Sequence, residues 1–265
     1  MENTYWLKQK SDQALFTDVL WSRPETKTRA GKLLIIGGHK HSFATPTNTY
    51  NAALKAGIGA CRILLPDSLK KIVIPYFSHL QGHSLSVEFG ASEKSGGFGQ
   101  AALAQMLEEA KWADGVLLAG DFGKNSETAI LLEKFIEKYD GQLTLAGDSL
   151  DYFITNHDAL TSRRQSVIVT DFTKLQKIVS PLLIKHDESL MTFVNKLHDF
   201  TENKNASLVT LHADQIIVAV GGQLSSTSVK TASLVELAAY VSVWWLQQPK
   251  KPFEALTTAA FCLVS

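Results

Sequence analysis

The chain has 265 residues, 45% hydrophobic and 20% charged, and 26 Lys plus Arg balance 26 Asp plus Glu. Such length and apolar content suit a sizeable globular core, and a formal net charge of zero offers no field for attracting nucleic acid. Cys61 and Cys262 stand far apart, which fits buried thiols in a reducing compartment better than a disulfide or a zinc site. The first six residues, M-E-N-T-Y-W, lack a charged head before an apolar core, and Glu236 and Gln247 interrupt the longest late apolar run. Neither a signal peptide nor a membrane span is therefore expected, and the chain reads as cytoplasmic, with no nucleic-acid or membrane partner.

In chain order, residues 10–21 predict a short helix with Leu15, Phe16 and Val19 on one face, followed by a proline-broken connection over 23–27. The stretch 31–39, G-K-L-L-I-I-G-G-H, is the one around which the rest of the chain is arranged. Its apolar run suits a strand covered on both faces, Gly37-Gly38 permits a sharp turn, and residues 46–57 carry Tyr50, Ala53, Leu54 and Gly57 at helical spacing. A strand, a glycine turn and a helix leave backbone N–H groups at the strand's carboxyl end, where open α/β sheets bind ligands. A tight turn with no ligand fits the same residues.

Residues 61–65 form the next buried strand, and two shorter strands are expected at 70–76 and 85–89. The glycine-rich segment 92–100 lacks the lysine of a phosphate-binding loop and reads as a surface connection. A helix over 101–110 leads to a strand at 115–119, then G-D-F-G at 120–123. Ser126 is a candidate N-cap for a helix to Tyr139 whose Leu131, Leu132, Phe135 and Ile136 make an apolar stripe. Further strands are expected at 143–145, 167–170, 208–211 and 216–220, with helices at 174–183, 188–200, 231–247 and 253–263. The alternation predicts an α/β doubly wound, mostly parallel sheet with helices on both faces, as one domain over 1–265.

Asp121 and Asp148 fall just past strand ends, where carboxylates serve either as ligand-binding groups or as helix caps. His39 and His41 read as solvated loop histidines or as ligands, and Tyr240, Trp244 and Trp245 as core or subunit-interface aromatics. Gly37, Gly38 and Gly123 hold a pocket open in either case.

Arg23-Pro24, Lys27 and then Gly31 to Gly38 resemble the opening of the NAD(P)H-hydrate dehydratases, a ribokinase-like family. Residues 44–46 (A-T-P) and 52–60 (A-A-L-K-A-G-I-G-A) are similar to that family's G-A-P and A-A-L-R-A-G-A-G segments. A-G-D-F-G at 119–123 stands where the family has G-P-G-L-G, and A-G-D-S-L at 146–150 where it has D-A-D-A-L. The resemblance implies a ribokinase-like fold that binds ADP or ATP with Mg2+ near the C-terminal helices. It also implies phosphorylation of the hydroxyl of a hydrated nicotinamide ring, with phosphate loss restoring NADH or NADPH. The implied small-molecule ligand is therefore of the NADHX or NADPHX kind, or a nucleotide, and the implied assembly is a homo-oligomer. By the same resemblance Thr45, Asp121, Gly123 and Asp148 contact substrate, Glu236 is the catalytic base, and His212 and Val235 lie on the nucleotide, with no side chain assigned to metal.

The pattern departs where phosphoryl chemistry would take place. The family's G-T-G-D turn reads S-L-V-E at 233–236, its T-P-H-x-G-E reads T-D-F-T-K-L at 170–175, and its lysine-glycine pair reads His212-Ala213. Leu234 and Val235 bring branched side chains to the place where a phosphate approaches the backbone, and a positive φ at Val235 would be strained. Glu236 moves the carboxylate by one methylene, and a misplacement of about 1 Å costs on the order of 10²-fold in rate. Weak or lost turnover is the expectation. A non-catalytic ligand-binding or oligomeric scaffold, or a sugar or vitamin kinase, are the alternatives.

Overall fold

A computed structural model describes residues 4–77, 85–179 and 188–265 of the chain. The central strand, β2 (Lys32–Gly37), is covered on both faces, and Leu34, Ile35 and Ile36 are wholly buried. Burial of such side chains stabilises by about 2 kcal/mol each. Leu34 and Ile36 face one hydrophobic cluster and Leu33 and Ile35 the other, so an unbroken apolar run is what this position in the sheet requires.

Parallel strands extend from β2 in both directions. On one side lie β3 (Ala60–Pro66) and the edge strand β4 (Leu85–Gly90). On the other lie β5 (Gly115–Gly120), β6 (Gln142–Leu145), β7 (Ser166–Asp171) and β8 (Ser207–His212). The antiparallel strands β9 (Gln215–Val220) and β10 (Gln223–Ser228) come next, and β1 (Trp6–Gln9) closes that edge parallel to β10. One face carries α1 (Thr17–Trp21), α2 (Ala44–Lys55), α3 (Lys70–Phe77), α9 (Leu234–Gln247) and α10 (Pro252–Val264). The other carries α4 (Leu103–Trp112), α5 (Ser126–Lys138), α6 (His157–Thr161), α7 (Phe172–Ile178) and α8 (Leu190–Asn203). The sheet is mostly parallel with helices on both faces, as expected.

Several elements differ from the sequence reading. Residues 70–76 form helix α3, not a strand: Leu69 and Val73, four apart, are buried, while Ile72 and Ile74 are 44% and 46% exposed. Their β-branched run imitates a strand, but burial follows the helical period. The helix at 10–21 shrinks to α1, which buries Val19 and leaves Leu15 at the surface. Asn125, rather than Ser126, caps α5 by accepting the Glu127 N–H at 2.7 Å. The helix expected at 174–183 is α7, and residues 180–183 lie outside the described residues. Strands β1 and β10 escaped the reading because their inward side chains are polar and bond to one another. Gln9 donates to Thr227 Oγ1 and to the Thr257 carbonyl, both at 2.9 Å, and Ser225 and Thr257 share a 2.7 Å hydroxyl bond.

The segments that carry the family resemblance early in the chain are packing devices. Arg23 lies 4.7 Å over the Trp244 ring of α9 and donates from Nη2 to the Ala56 carbonyl at the end of α2. Gly57 beside it has φ +89, and a side chain there would meet Arg23 Nη2 at 2.6 Å. Gly59 admits no Cβ, which would overlap the Lys27 carbonyl oxygen and lie 2.9 Å from that of Gly31.

Candidate functional site

The chain leaves β2 toward β3 on one side, and later adds β5 on the other. The carboxyl ends of β2 and β5 therefore form the switch point of the sheet, where open α/β folds have their ligand crevice. The two ends lie very close: Gly38 N–H donates to the Gly120 carbonyl at 3.0 Å, and a Cβ on Gly37 would overlap that same oxygen.

Asp121 and Asp148 stand here, with Thr45 and Gly123. Thr45 is in the first turn of α2, whose orphan N–H groups would suit an anion. Its N–H instead donates to Asp121 Oδ2 at 2.8 Å. Asp121 reaches it from a left-handed backbone (φ +61), a conformation that aspartate tolerates better than most residues. Asp148 binds the loop after β5, Oδ1 accepting from Phe122 N–H at 3.2 Å and Oδ2 from Gly123 N–H at 3.3 Å. The Gly123 carbonyl accepts from the Tyr152 hydroxyl at 2.7 Å, and burial pushes that phenol up to about 12.

A third carboxylate repeats the arrangement in the glycine-rich segment. Glu93 accepts from the N–H groups of Ser95 (2.6 Å) and Gly97 (3.1 Å) and from the Ser95 hydroxyl, and its own N–H donates to the Gly97 carbonyl at 3.0 Å. Those bonds hold the Glu93 carboxyl below the ordinary range against desolvation, which opposes them. His39 packs between these loops, since a Cβ on Gly97 or Gly123 would meet its Cδ2 at 3.2 or 2.9 Å. Partial burial lowers its imidazole below 6.5, and His41 and Lys40 add to the effect while Glu93 and Asp148 oppose it. Lys174 Nζ bonds the Gly147 carbonyl at 2.8 Å and pairs with Asp151 at 2.9 Å. Sequence reasoning missed Glu93, Asp151, Tyr152 and Lys174. The signals were a carboxylate opening a glycine-rich turn and the D-Y pair four residues beyond Gly147.

Burial raises the Asp148 carboxyl above 3.8, with Asp121 adding to the rise, while the two backbone donors and Lys174 oppose it. A raised folded-state value means that the native state binds this proton more tightly than the unfolded chain. Stability from this group is therefore greatest below 3.8, falls as pH rises through the elevated value, and is flat beyond it. Urea midpoints measured from about pH 4 to about pH 7 are expected to show that decline in the wild type. Asp148→Asn, which cannot titrate, removes it; identical pH profiles would contradict this assignment.

The remaining predicted residues lie elsewhere. Val235 and Glu236 line a 330 Å³ cleft between α2 and α9 with Asn48, Asn51 and Lys55, and Glu236 is 3.9 Å from Lys55 Nζ. Val235 does not take the strained positive φ, because the chain enters α9 directly from an extended Ser233 (φ −86, ψ 128). His212 stacks on Phe172 (centroids 4.4 Å apart) and packs against Phe193 (4.8 Å). Its neighbour in the chain, Ala213, is left-handed (φ +46) in the two-residue turn to β9. So Thr45, Asp121, Gly123 and Asp148 converge, Val235 and Glu236 share a second cleft on α2, and His212 belongs to an aromatic cluster.

No protein-family model matches the chain. Two curated relatives are bifunctional NAD(P)H-hydrate repair enzymes. That of Methanothermobacter thermautotrophicus is 28% identical over 161 residues, which is 58% of this chain and 29% of the relative. That of Methanocaldococcus jannaschii is 26% identical over 208 residues, 75% of this chain and 40% of the relative. The matched part thus spans well under half of those proteins. Among solved structures, a ribokinase-like superfamily protein from Enterococcus faecalis has TM-score 0.71 and 13% identity, with 99% of this chain and 88% of that one covered. The ADP/ATP-dependent NAD(P)H-hydrate dehydratase from Bacillus subtilis, co-crystallised with ATP and Mg2+, has TM-score 0.62 and 12% identity, with 89% and 79% covered. Among the described residues no helix is long and apolar enough to cross a membrane. In architecture this chain is ribokinase-like, and in sequence it resembles the NAD(P)H-hydrate dehydratases as a divergent relative.

Proposed function

We propose that this chain keeps the scaffold and switch-point crevice of a hydrate-repair enzyme, while nucleotide-dependent dehydration of hydrated NADH or NADPH is weak or lost. One observation carries the reading: the backbone N–H groups around the switch-point crevice that would suit a phosphate are bonded to the chain's own carboxylates. Asp121 takes Thr45 N–H, Asp148 takes those of Phe122 and Gly123, and Glu93 takes those of Ser95 and Gly97. A phosphate would have to displace charge-assisted bonds and sit against like charge, the reverse of a preorganised anion hole.

The start of α9 supports the same conclusion. Its first turn carries Glu236 where the resemblance has an aspartate, with the carboxylate one methylene further out, and Leu234 and Val235 put branched side chains where the family's turn has threonine and glycine. These residues do not fit ADP or ATP with Mg2+ held as the resemblance implies. The crevice is left as a small-molecule binding site on a non-catalytic or feebly catalytic scaffold, with homo-oligomerisation carried over from the resemblance.

The reading is tested by incubating the protein with hydrated NADH, ATP and Mg2+ and following NADH absorbance. The expected turnover is at the protein-free background or far below the roughly 1–10³ per second usual for enzymes. Turnover of about 1 per second or more that Glu236→Gln abolishes would establish the enzyme and refute the proposal.

A further inference from the structure

The sheet ends in two unlike edges. β1 closes one, and Lys8 stands exposed within it, 4.5 Å over the Trp6 ring. A lysine on an edge strand keeps other strands from pairing there. β4 closes the other edge with L-S-V-E-F-G, which has neither lysine nor proline to guard it. β3 takes its inner side, and among the described residues no strand bonds its outer side. Ser86, Val87, Glu88 and Phe89 are all half-buried, whereas the central strand buries every residue after Lys32. Helix α3 flanks this edge, with Lys70 Nζ 5.9 Å from the Phe89 ring centre, and it leaves Ile72 and Ile74 exposed.

The pattern of this edge complements a second copy of itself. A two-fold axis normal to the sheet makes the pairing antiparallel. Centred on Val87, it sets Val87 against the partner's Val87 and, twice over, Ser86 against the partner's Glu88. Apolar then meets apolar on the face that carries α3, and hydroxyl meets carboxylate on the other. Ser86 already donates to the Glu88 of its own strand at 3.1 Å, so its hydroxyl suits either carboxylate. Centring the axis on Glu88 instead would set two carboxylates face to face, which destabilises a cross-strand pair. We propose that two copies of this chain associate through β4, antiparallel about Val87, with α3 of both on one face of the joined sheet. The inference rests on the homo-oligomer named under the proposed function and gives it a face. An oligomer built through another surface would sink it and leave that reading standing.

The test is sedimentation velocity of the full chain and its variants at about 50 µM. The wild type is expected at twice the 29.1 kDa mass of the chain. Ser86→Glu sets like charges opposite each other at two places and is expected to weaken the dimer by about tenfold or more. Ser86→Lys sets opposite charges there and is expected to keep it. Adding Glu88→Lys to Ser86→Glu restores opposite charges and is expected to restore the dimer, which separates a lost interface from a lost fold. On oxidation, Val87→Cys is expected to give a disulfide-linked dimer, because opposed residues of an antiparallel pair have Cα atoms about 5 Å apart. Leu7→Cys, on the guarded edge, is not. A monomeric wild type, a dimer indifferent to Ser86→Glu, or crosslinking of Leu7→Cys in place of Val87→Cys would overturn the proposal.

Discussion

Gly59→Ala is expected to destabilise the protein by about 3–5 kcal/mol, at the upper end of what single substitutions do. The reason is backbone against backbone: the added Cβ would overlap the Lys27 carbonyl oxygen, with the carbonyl carbon at 3.0 Å and the Gly31 oxygen at 2.9 Å. No rotamer change relieves such a clash. The connection over residues 27–31 would have to move, and it leads directly into β2, whose Lys32 pairs with Ala60 in the first register position of the β2–β3 ladder. A chain of this size loses roughly 2–4 °C of Tm per kcal/mol, so a fall of about 10 °C is expected in a calorimetric scan. Gly221→Ala provides the contrast, since its Cβ has nothing within 4 Å among the described residues and only the φ of +52 opposes it. A cost of about 1 kcal/mol is expected there. Equal Tm shifts for the two variants would refute the packing argument.

Arg23→Ala is expected to cost about 3 kcal/mol. The guanidinium donates to the carbonyl of Ala56 at the end of α2 and lies over the Trp244 ring of the neighbouring helix α9, so one side chain joins the two helices that form the walls of the 330 Å³ cleft. A charge-assisted hydrogen bond contributes about 1.5–3 kcal/mol, and a cation–π contact made by an exposed guanidinium such as that of Arg23 about 0.5–1 kcal/mol. Arg23→Lys keeps the charge but loses the planar fork and its stacking, and is expected to recover less than half of the loss. Urea denaturation of the three proteins measures the differences. A lysine variant as stable as wild type would show that charge alone matters at this position.

Both substitutions probe residues that carry the resemblance to hydrate-repair enzymes. Arg23, Gly57 and Gly59 are required by helix ends and strand entry, and their hydrogen bonds and close approaches among the described residues lie away from the switch-point crevice. Likeness in this part of the chain therefore reflects the scaffold, and it stands beside residues 233–236, S-L-V-E, that depart from the family's turn.

The parts of the fold legible in the sequence were those whose burial has a simple period. β2, β5 and β7 are built on continuous apolar runs, β3 on one interrupted by Arg62, and the stripe Leu131, Leu132, Phe135 and Ile136 announces α5. β10 was not legible, because Ser225 and Thr227 are buried through hydrogen bonds to other polar side chains rather than through apolar character. The places of Asp121 and Asp148 past strand ends were legible, whereas Thr45 and Gly123 entered as substrate contacts only through the family resemblance. What the two carboxylates do there was not legible: only the three-dimensional turn geometry directs Asp121 to Thr45 and Asp148 to the loop it closes. His212 and Glu236 occupy positions aligned with functional family residues, yet one is engaged with Phe172 and the other approaches Lys55. Sequence position alone does not reveal such partners.

The proposal that the chain's own carboxylates occupy the crevice N–H groups and leave no nucleotide site is tested most directly by calorimetric titration of the full chain with ATP and Mg2+. No saturable heat is expected up to about 1 mM nucleotide, which corresponds to binding weaker than about 4 kcal/mol. A 1:1 isotherm with a dissociation constant in the micromolar range would contradict it.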